Sequence, residues 1–121
     1  MSESSKKVGD EGEDIAADLL SQKGYNIIKR NYRYGKGEID IIAEAPDNFL
    51  VFVEVKSRKN LEFGEPEYAV TKSKMKQLKK IASAYLFEND ISEQECRFDV
   101  VAILFRGKRK PLIRHYTNAF N

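Results

Sequence analysis

Two carboxylates and a lysine interrupt segments of this chain that otherwise have the composition of buried strands. Asp40 lies within the apolar run 39–43, and Glu54 and Lys56 lie at the end of the next apolar run. Charge in such a segment is costly and must be compensated. Two neighbouring carboxylates repel each other unless a cation lies between them, and oxygen ligands suit Mg2+ or Mn2+. The pattern favours metal-assisted phosphodiester chemistry.

Strand geometry assigns a role to each of these three residues. Residues two apart in a strand share a face and lie about 6.6 Å apart, so Glu54 and Lys56 should point the same way. If the strand holding Asp40 pairs beside them, Asp40 and Glu54 can bind one divalent ion. That ion would polarise a scissile phosphate and activate a water, while Lys56 orients the water or neutralises charge developing on the phosphorane.

Two further acidic residues are candidate members of the site. Glu13, on the first predicted helix, could be an additional ligand or contact the metal through water, but an acid near a helix N-terminus is also favoured by the dipole. Glu38 should share the face of Asp40 and could support the ligands or hold a second metal. It could equally be a rim charge facing Arg33 or Lys36.

Two other titratable residues are predicted to be structural. Asp99 lies between apolar residues in the last predicted strand, where a hydrogen-bonded or arginine-paired carboxylate is the expected state. His115 is the single histidine and is expected to support the structure. Neither is predicted to be catalytic.

The size of the chain predicts one domain with a single core. It has 121 residues, of which 41% are hydrophobic and 33% are charged. We expect residues 1–8 to form a flexible tail and residues 9–121 to form the domain. Cys96 is the single cysteine, which excludes an intrachain disulfide and favours the reducing cytoplasm. No run has the length of a signal peptide or a membrane span, so we expect neither export nor membrane insertion.

Periodicity and turn residues predict the element order αβββαβ. The predicted helices cover residues 9–23 and a long segment capped by Thr71, and the predicted strands cover residues 25–34, 38–44, 49–57 and 98–105. Residues 58–69 read as a loop and 106–110 as a basic turn before a short edge strand at 111–116. Because a helix separates the third and fourth strands, they can pair in parallel through a right-handed crossover. The expected fold class is α/β, with a mixed central sheet flanked by helices.

Several sequence motifs resemble those of the PD-(D/E)XK nuclease superfamily, in which a strand aspartate and a following (D/E)-X-K form the active site. Within it, the chain resembles the YraN-like family of small bacterial proteins over about residues 9–120, in the segments Gly12-Glu13, Arg30-Asn31, Gly37-Glu38-Ile39-Asp40-Ile41-Ile42-Ala43, Phe52-Val53-Glu54-Val55-Lys56-Ser57-Arg58 and Arg97-Phe98-Asp99-Val100-Val101. Ile39 stands where the superfamily label has proline, which is not a ligand. The resemblance implies a restriction-endonuclease-like fold, similar to archaeal Holliday-junction resolvases, and nuclease activity on DNA.

A concentration of basic residues follows the predicted active-site strand. Net charge is only +2, and a lysine-rich helix face is usually just solvated. In related folds, however, this helix borders the DNA groove. The predicted phosphate contacts are Arg58, Lys59, Lys72, Lys74 and Lys76. The segment Tyr32-Arg33-Tyr34 could stack on unpaired bases, although packing on the strand face is an equal alternative.

The sequence therefore predicts a metal-dependent nuclease acting on DNA. Its catalytic residues would be Asp40, Glu54 and Lys56 with Glu13 and Glu38, and its Mg2+ or Mn2+ would be held at Asp40, Glu54 and Val55. Branched DNA or repair intermediates are the expected substrates, by analogy to resolvases. A homodimer would supply two sites for cutting both strands. The alternatives are a nucleic-acid-binding module on the same fold that no longer cuts, or an adaptor in DNA repair.

Overall fold

The computed structural model describes residues 3–59 and 70–120. The elements are α1 (Glu3–Gln22), β1 (Asn26–Tyr34), β2 (Gly37–Glu44), β3 (Leu50–Arg58), α2 (Lys72–Glu88), β4 (Cys96–Arg106) and β5 (Arg109–Phe120). The predicted αβββαβ order and α/β class are confirmed. Most of the predicted loop 58–69 lies outside the described residues, while its first residue, Arg58, still belongs to β3.

The described strands form one mixed sheet in the order β1-β2-β3-β4-β5. The first three strands are an antiparallel meander, and β4 returns antiparallel into β5. Between these pairs, β3 and β4 run parallel. Helix α2 connects β3 to β4, so the predicted parallel pairing through a helical crossover is confirmed.

Apolar residues cover both faces of the central strands. On one face, Phe52 and Val100 pack with α2 residues such as Ile81. On the other face, Val53 and Val101 pack with residues of α1. Because β3 and β4 are covered on both sides, they read as continuous apolar runs, and a charge within them stands out.

Helix α1 begins six residues earlier than predicted, at Glu3 instead of Gly9. The polar segment before Gly9 therefore continues the helix. Gly24, at φ 90°, follows the end of the helix as predicted. Glu13 is consequently in the middle of α1, so the alternative that it serves the helix N-terminus is wrong.

A glycine lets α1 lie close to the sheet. A Cβ atom built on Gly12 would overlap Oγ of Ser57 and come within 3.1 Å of the Ser57 Cβ atom. Since Ser57 belongs to β3, any side chain at this position would push α1 away from the active-site strand. The spacing between α1 and β3 therefore depends on Gly12.

Helix α2 has the predicted cap and one buried apolar face. The Thr71 side chain accepts a hydrogen bond from the Lys74 backbone N–H at 3.1 Å. Leu78, Ile81, Ala82 and Tyr85 are buried against the sheet. Neither helix in the described part of the chain is long and apolar enough to cross a membrane.

The two edge strands are irregular. In β1 the pairing with β2 shifts between Ile27 and Lys29, and Ile28 is exposed. In β5 the pairing with β4 shifts at two places. β5 is also longer than the predicted strand 111–116, because it continues to pair with β4 as far as Phe120.

Buried hydrogen bonds link the side chain of Asp99 on β4 to residues of β5. Asp99 is fully buried, and its carboxylate accepts hydrogen bonds from Arg97 Nε at 3.1 Å and from the Asn118 backbone N–H at 3.0 Å. His115 Nε2 lies 2.8 Å from Asp99 Oδ2. Burial opposes the charge on Asp99, but the His115, Asn118 and Arg97 contacts outweigh it and lower the pKa. Both residues are structural, as predicted.

Candidate active site

Asp40 and Glu54 converge between β2 and β3. Asp40 Oδ2 accepts a hydrogen bond of 2.8 Å from the backbone N–H of Val55. Its carboxyl group also contacts the carboxyl group of Glu54 through a hydrogen bond and through charge. The Val55 side chain packs on the α1 side of the sheet, and Glu54 reaches a residue of α2. The predicted meeting of these two acids is present in the fold.

Burial, together with the nearby Glu54, raises the pKa of Asp40 to about 8, from an ordinary value of 3.8. Burial is the largest cause, followed by the hydrogen bond with Glu54 and the negative charge of Glu54. The Val55 N–H favours the ionised form but does not compensate for these effects. Two carboxylates at this position therefore cannot both ionise readily unless positive charge is added.

Part of that positive charge comes from α2. Lys74 Nζ lies 3.5 Å from Oε2 of Glu54, and the Glu54 side chain is only 8% exposed. That distance is too long for a strong hydrogen bond, and Oε2 is a buried atom with no hydrogen-bond partner among the described residues. Lys74 was predicted to face phosphate, whereas here it faces the active-site acid. Glu54 retains capacity for a closer cation.

Lys56 lies two residues beyond Glu54 on β3 and is half-buried. Alternation along the strand gives it the face of Glu54, as predicted. Its neighbour in the register on β4 is Ala102, a small residue that leaves room beside it. The meeting of Asp40 with Glu54 is present in the fold, whereas the contact of Lys56 with this pair stays a prediction.

Glu13 is held from two sides. Its Oε1 atom accepts hydrogen bonds of 3.0 Å from Arg30 Nε and of 3.0 Å from Asn31 Nδ2. Arg30 also pairs with Asp14 at 2.7 Å. Because one oxygen takes both bonds, the carboxylate is fixed in orientation, and its charge contributes to the raised pKa of Asp40. Glu13 can therefore act on Asp40 without contacting it.

Beside these acids is an open cavity of about 550 Å³. Its lining includes Asp10, Glu13, Asn31, Arg33, Glu38, Asp40, Val55 and Ser57. Glu38 is 3.5 Å from Arg33 Nε, which agrees with the rim-charge alternative, but it also faces the cavity that Asp40 lines. Acids outnumber bases here, so the cavity attracts cations.

The residues present fit a divalent metal. The donors are carboxylate oxygens, and Glu54 Oε2 is buried without a close partner in the described segments. Mg2+ is held in many sites by one or two carboxylates and keeps several waters. No group of three or more acidic, histidine or cysteine residues in the described part of the chain could hold a metal. A metal here would therefore have two carboxylate ligands at most, Asp40 and Glu54, with the backbone of Val55 beside them.

The other predicted phosphate contacts surround this region. Arg58 is half-buried at the end of β3, where its Nη1 donates to the Ser57 carbonyl at 3.0 Å. Lys59, Lys72 and Lys76 are exposed. Their contact with nucleic acid stays a prediction.

The aromatic residues of β1 have separate environments. Tyr32 is buried, packs edge to face against Tyr85 and donates a hydrogen bond of 2.7 Å to Glu88. For Tyr32, the alternative of packing on the strand face is therefore correct, and its buried ring cannot stack on a base. Tyr34 is 43% exposed.

The sequence prediction assigned no role to Arg30 and Asn31, which position Glu13. Asn31 has φ 55°, a left-handed conformation that asparagine tolerates better than most residues. An asparagine in the middle of a predicted strand was the available signal, because strands are depleted in asparagine. The ion pair of Lys74 with Glu54 had no such signal, since it depends on how α2 lies across the sheet.

The family of the chain is shown by its sequence. A family model described as "Uncharacterised protein family UPF0102" matches residues 12–103. The chain belongs to this family. The matched range contains Glu13, Asp40, Glu54 and Lys56, which places the whole candidate site within the UPF0102 segment.

Relatives in the UPF0102 family match nearly the whole chain. A "UPF0102 protein" of Natranaerobius thermophilus is 50% identical over 95% of this chain and 98% of its own length. A UPF0102 protein of Chlorobium phaeobacteroides is 47% identical over 99% of this chain and 98% of its own length. A UPF0102 protein of Trichlorobacter lovleyi is 45% identical over 94% of this chain and 90% of its own length.

A solved structure with a distant similarity is that of SfsA from Pyrococcus furiosus in complex with Ca2+. It is 17% identical, with a TM-score of 0.39, and the match covers 93% of this chain and 63% of the SfsA chain. This chain thus spans less than two thirds of SfsA. The similarity is too low to extend to the site.

Proposed function

We propose that this protein is a metal-dependent nuclease that hydrolyses phosphodiester bonds in DNA. The observation that carries the proposal is the buried contact between the Asp40 and Glu54 carboxyl groups; burial and then Glu54 raise the pKa of Asp40 to about 8. A buried pair of acids with no function would only lower the free energy of unfolding, so such pairs indicate functional sites. The arrangement with Lys56 resembles that of PD-(D/E)XK nucleases, and we assign the chain to that superfamily as part of this proposal.

Asp40 and Glu54 would hold Mg2+ or Mn2+, with the backbone of Val55 beside them. When bound, the metal would polarise the scissile phosphate and lower the pKa of the attacking water. The Val55 N–H fixes the orientation of the Asp40 carboxylate at 2.8 Å. Glu13, held by Arg30 and Asn31, keeps the surroundings of Asp40 negative. Lys56 would orient the water or stabilise charge that develops on the phosphate.

At the cavity, the distribution of charge suits a polyanionic substrate only when the cation is present. The acids that line the cavity repel phosphate, whereas the exposed lysines of α2 attract it. Substrate and metal should therefore bind cooperatively. This expectation separates a nuclease from a module that only binds nucleic acid, which would have no need of an acidic cavity.

Isothermal titration calorimetry with Mn2+ tests the metal site. Wild-type protein should bind Mn2+, and Asp40→Asn should abolish the binding heat, because one of two carboxylate ligands is lost. The matched control is Glu44→Gln, which removes an exposed acid from the same strand. Equal Mn2+ binding by wild type and Asp40→Asn would remove the enzyme proposal.

Cleavage is tested with linear, flapped and four-way DNA in Mg2+ or Mn2+. Wild type should cut at least one of these substrates, whereas Asp40→Asn should cut none. Lys56→Ala should slow the reaction by about a hundredfold, the range expected for one electrostatic contact in the transition state. Cleavage that survives Lys56→Ala unchanged contradicts the role of that lysine, and metal binding without any cleavage favours the binding-module alternative.

A further inference from the structure

Two exposed aromatic rings border one hollow beside the active site. Phe87 is 85% exposed at the end of α2, and Tyr34 is 43% exposed at the end of β1. Both line an open hollow of about 400 Å³, here called the aromatic hollow, whose other lining residues are Lys80, Ser83, Ala84 and Glu88. An exposed phenylalanine of this extent has no packing function in the described structure.

The hollow adjoins the candidate active site through β1. Tyr34 follows Arg33, and neighbouring side chains of a strand point to opposite faces. Arg33 lines the active-site cavity, whereas Tyr34 lines the aromatic hollow. The end of the β1–β2 hairpin therefore separates the two spaces. The hairpin also lies close to α2, since a Cβ atom on Gly37 would come within 2.8 Å of the Ile81 side chain.

A row of lysines leads along α2 to the same hollow. At 100° per residue, the exposed residues Lys72, Lys76, Lys80 and Phe87 fall on one side of the helix, opposite the buried face. Lys79 adjoins this row, here called the lysine stripe. The sequence from Lys72 to Phe87 contains no acidic residue. Lys74 pairs with Glu54 from the sheet-facing side of the same helix, so the stripe and the candidate site lie on two sides of the first turns of α2.

We infer that an unpaired nucleic-acid strand lies along the lysine stripe and stacks a base between Tyr34 and Phe87. The inference rests on the proposed function and specifies its substrate as DNA with a single-stranded segment. Positive charge that follows the backbone, together with aromatic rings that accept any base, is how single strands are bound. A duplex keeps its bases stacked on one another, so it cannot offer one to the hollow.

The dimensions agree with a short strand. Lys72 and Phe87 are separated by about 22 Å along the helix at 1.5 Å per residue. That length corresponds to about six nucleotides at a rise of 3.4 Å each. Ser83 and Ala84 are small and leave the floor of the hollow flat, and Lys80 provides a cation at its edge.

Fluorescence anisotropy in EDTA tests the inference without cleavage. Labelled oligonucleotides of about twelve nucleotides are used as single strand and as blunt duplex. Phe87→Ala and Tyr34→Ala should each weaken single-strand binding about tenfold, as expected when one stacked base loses its partner. Affinity for the blunt duplex should not change. The matched control is Leu112→Ala, which removes an exposed apolar residue on β5 and should leave both affinities unchanged.

Conservative substitutions, which preserve the fold, distinguish stacking from other kinds of contact. Phe87→Tyr should retain the affinity for the single strand, whereas Phe87→Leu should lose most of it, because leucine is apolar but not planar. Lys76→Gln should lower the slope of log affinity against log salt by about 0.7 for a single strand.

Two results would overturn the inference. One is equal affinity of wild type and Phe87→Ala for single strands. The other is sedimentation showing that Phe87→Ala converts a dimer to a monomer without weakening single-strand binding, which would identify a contact with a second copy. Neither result alters Mn2+ binding by Asp40, so failure of this inference is distinguishable from failure of the proposed function.

Discussion

At the scale of single residues, the site depends on the difficulty of placing negative charge on Asp40. Its carboxyl group is the one that burial and Glu54 most disfavour in ionised form. Mg2+ and Mn2+ need ionised carboxylates as ligands, so a metal must displace the proton that Asp40 keeps up to about pH 8. Metal affinity should accordingly rise with pH over the neutral range.

Asp40→Asn should make the metal-free protein less sensitive to pH. The pKa of Asp40 is 3.8 in ordinary surroundings and about 8 in the fold, so between these values the folded chain holds a proton that the unfolded chain has released. The stability from this group is present at low pH and is lost as pH rises through about 8. In EDTA, the melting temperature of wild type should fall over this range relative to that of Asp40→Asn.

Melting curves from about pH 5 to about pH 9 measure this difference. At the upper end, Asp40→Asn should melt several degrees higher than wild type, which is on the order of 1 kcal/mol. Saturating Mn2+ should reverse the order, since it binds wild type and not the variant. Parallel curves for the two proteins in EDTA would show that Asp40 is not held protonated.

Lys74→Gln tests the contact of α2 with Glu54. Without the ammonium group, buried Glu54 loses its partner at 3.5 Å, and the free energy of unfolding in EDTA should fall by about 1 kcal/mol. Mn2+ should restore most of this loss, because it then compensates the same carboxylate. Lys76→Gln, on the exposed side of the helix, is the control and should change stability by less than about 0.5 kcal/mol. An equal loss in both variants would contradict the ion pair.

At the scale of elements, α1 and α2 set the position of the acids from opposite faces of the sheet. Glu13 belongs to α1 and Lys74 to α2, and each acts on the carboxyl pair carried by β2 and β3. A shift of either helix would alter the charge around Asp40 without touching it. The approach of α1 is the closer one because Gly12 lies against Ser57.

Gly12→Ala should destabilise the fold through this approach. The added methyl group must displace Ser57 or move α1, and overpacking of this kind costs about 1–3 kcal/mol. Gly9→Ala is the control, since nothing lies within 4 Å of a Cβ there, and it should be neutral or stabilising by up to about 1 kcal/mol. Urea denaturation measures both. If Gly12→Ala is as stable as Gly9→Ala, the helix does not depend on this contact.

Elements with a strong local pattern could be predicted from sequence, and those set by pairing could not. β3 and α2 were predicted closely because β-branched residues, Thr71 and a regular apolar period mark them. The start of α1 was placed too late, since a polar segment carries no periodic signal. The full length of β5 could not be predicted either, because its pairing with β4 determines where it ends. In the site, Asp40, Glu54 and Lys56 had a motif, whereas the ion pair of Lys74 with Glu54 depends on tertiary packing alone.

At the scale of the whole molecule, a second charged centre, on β4 and β5, has the opposite character to the candidate active site. Asp99 is buried like Glu54, but Arg97 and His115 compensate it fully. The centre at Asp99 therefore stabilises the fold, whereas the pair of Asp40 and Glu54 is available for a ligand. The contrast explains why the pKa is lowered at Asp99 and raised at Asp40.

Asp99→Asn should be the most destabilising of these substitutions. It leaves Arg97 and His115 without their buried anion, which costs about 3 kcal/mol. The pKa of Asp99 is lowered in the fold, so its contribution is present above the ordinary value of 3.8 and is lost as pH falls below it. Urea denaturation at neutral and acidic pH should show a gap between wild type and variant that narrows in acid.

Asp47→Asn is the control for this experiment. Asp47 also pairs with Arg97, at 3.0 Å, but its side chain is 56% exposed, so the loss should be under about 0.5 kcal/mol. Similar losses at Asp47 and Asp99 would mean that burial does not decide the strength of these pairs.

The irregular outer strands limit how two copies could meet. β1 is bent by its register shift and carries Lys29 and Arg30, and β5 contains Pro111, which has no backbone N–H to donate. Neither edge strand presents a straight row of backbone N–H and C=O groups with which another chain could pair. A paired assembly of this protein would have to join through side chains on its helical faces, leaving each five-stranded sheet closed to extension.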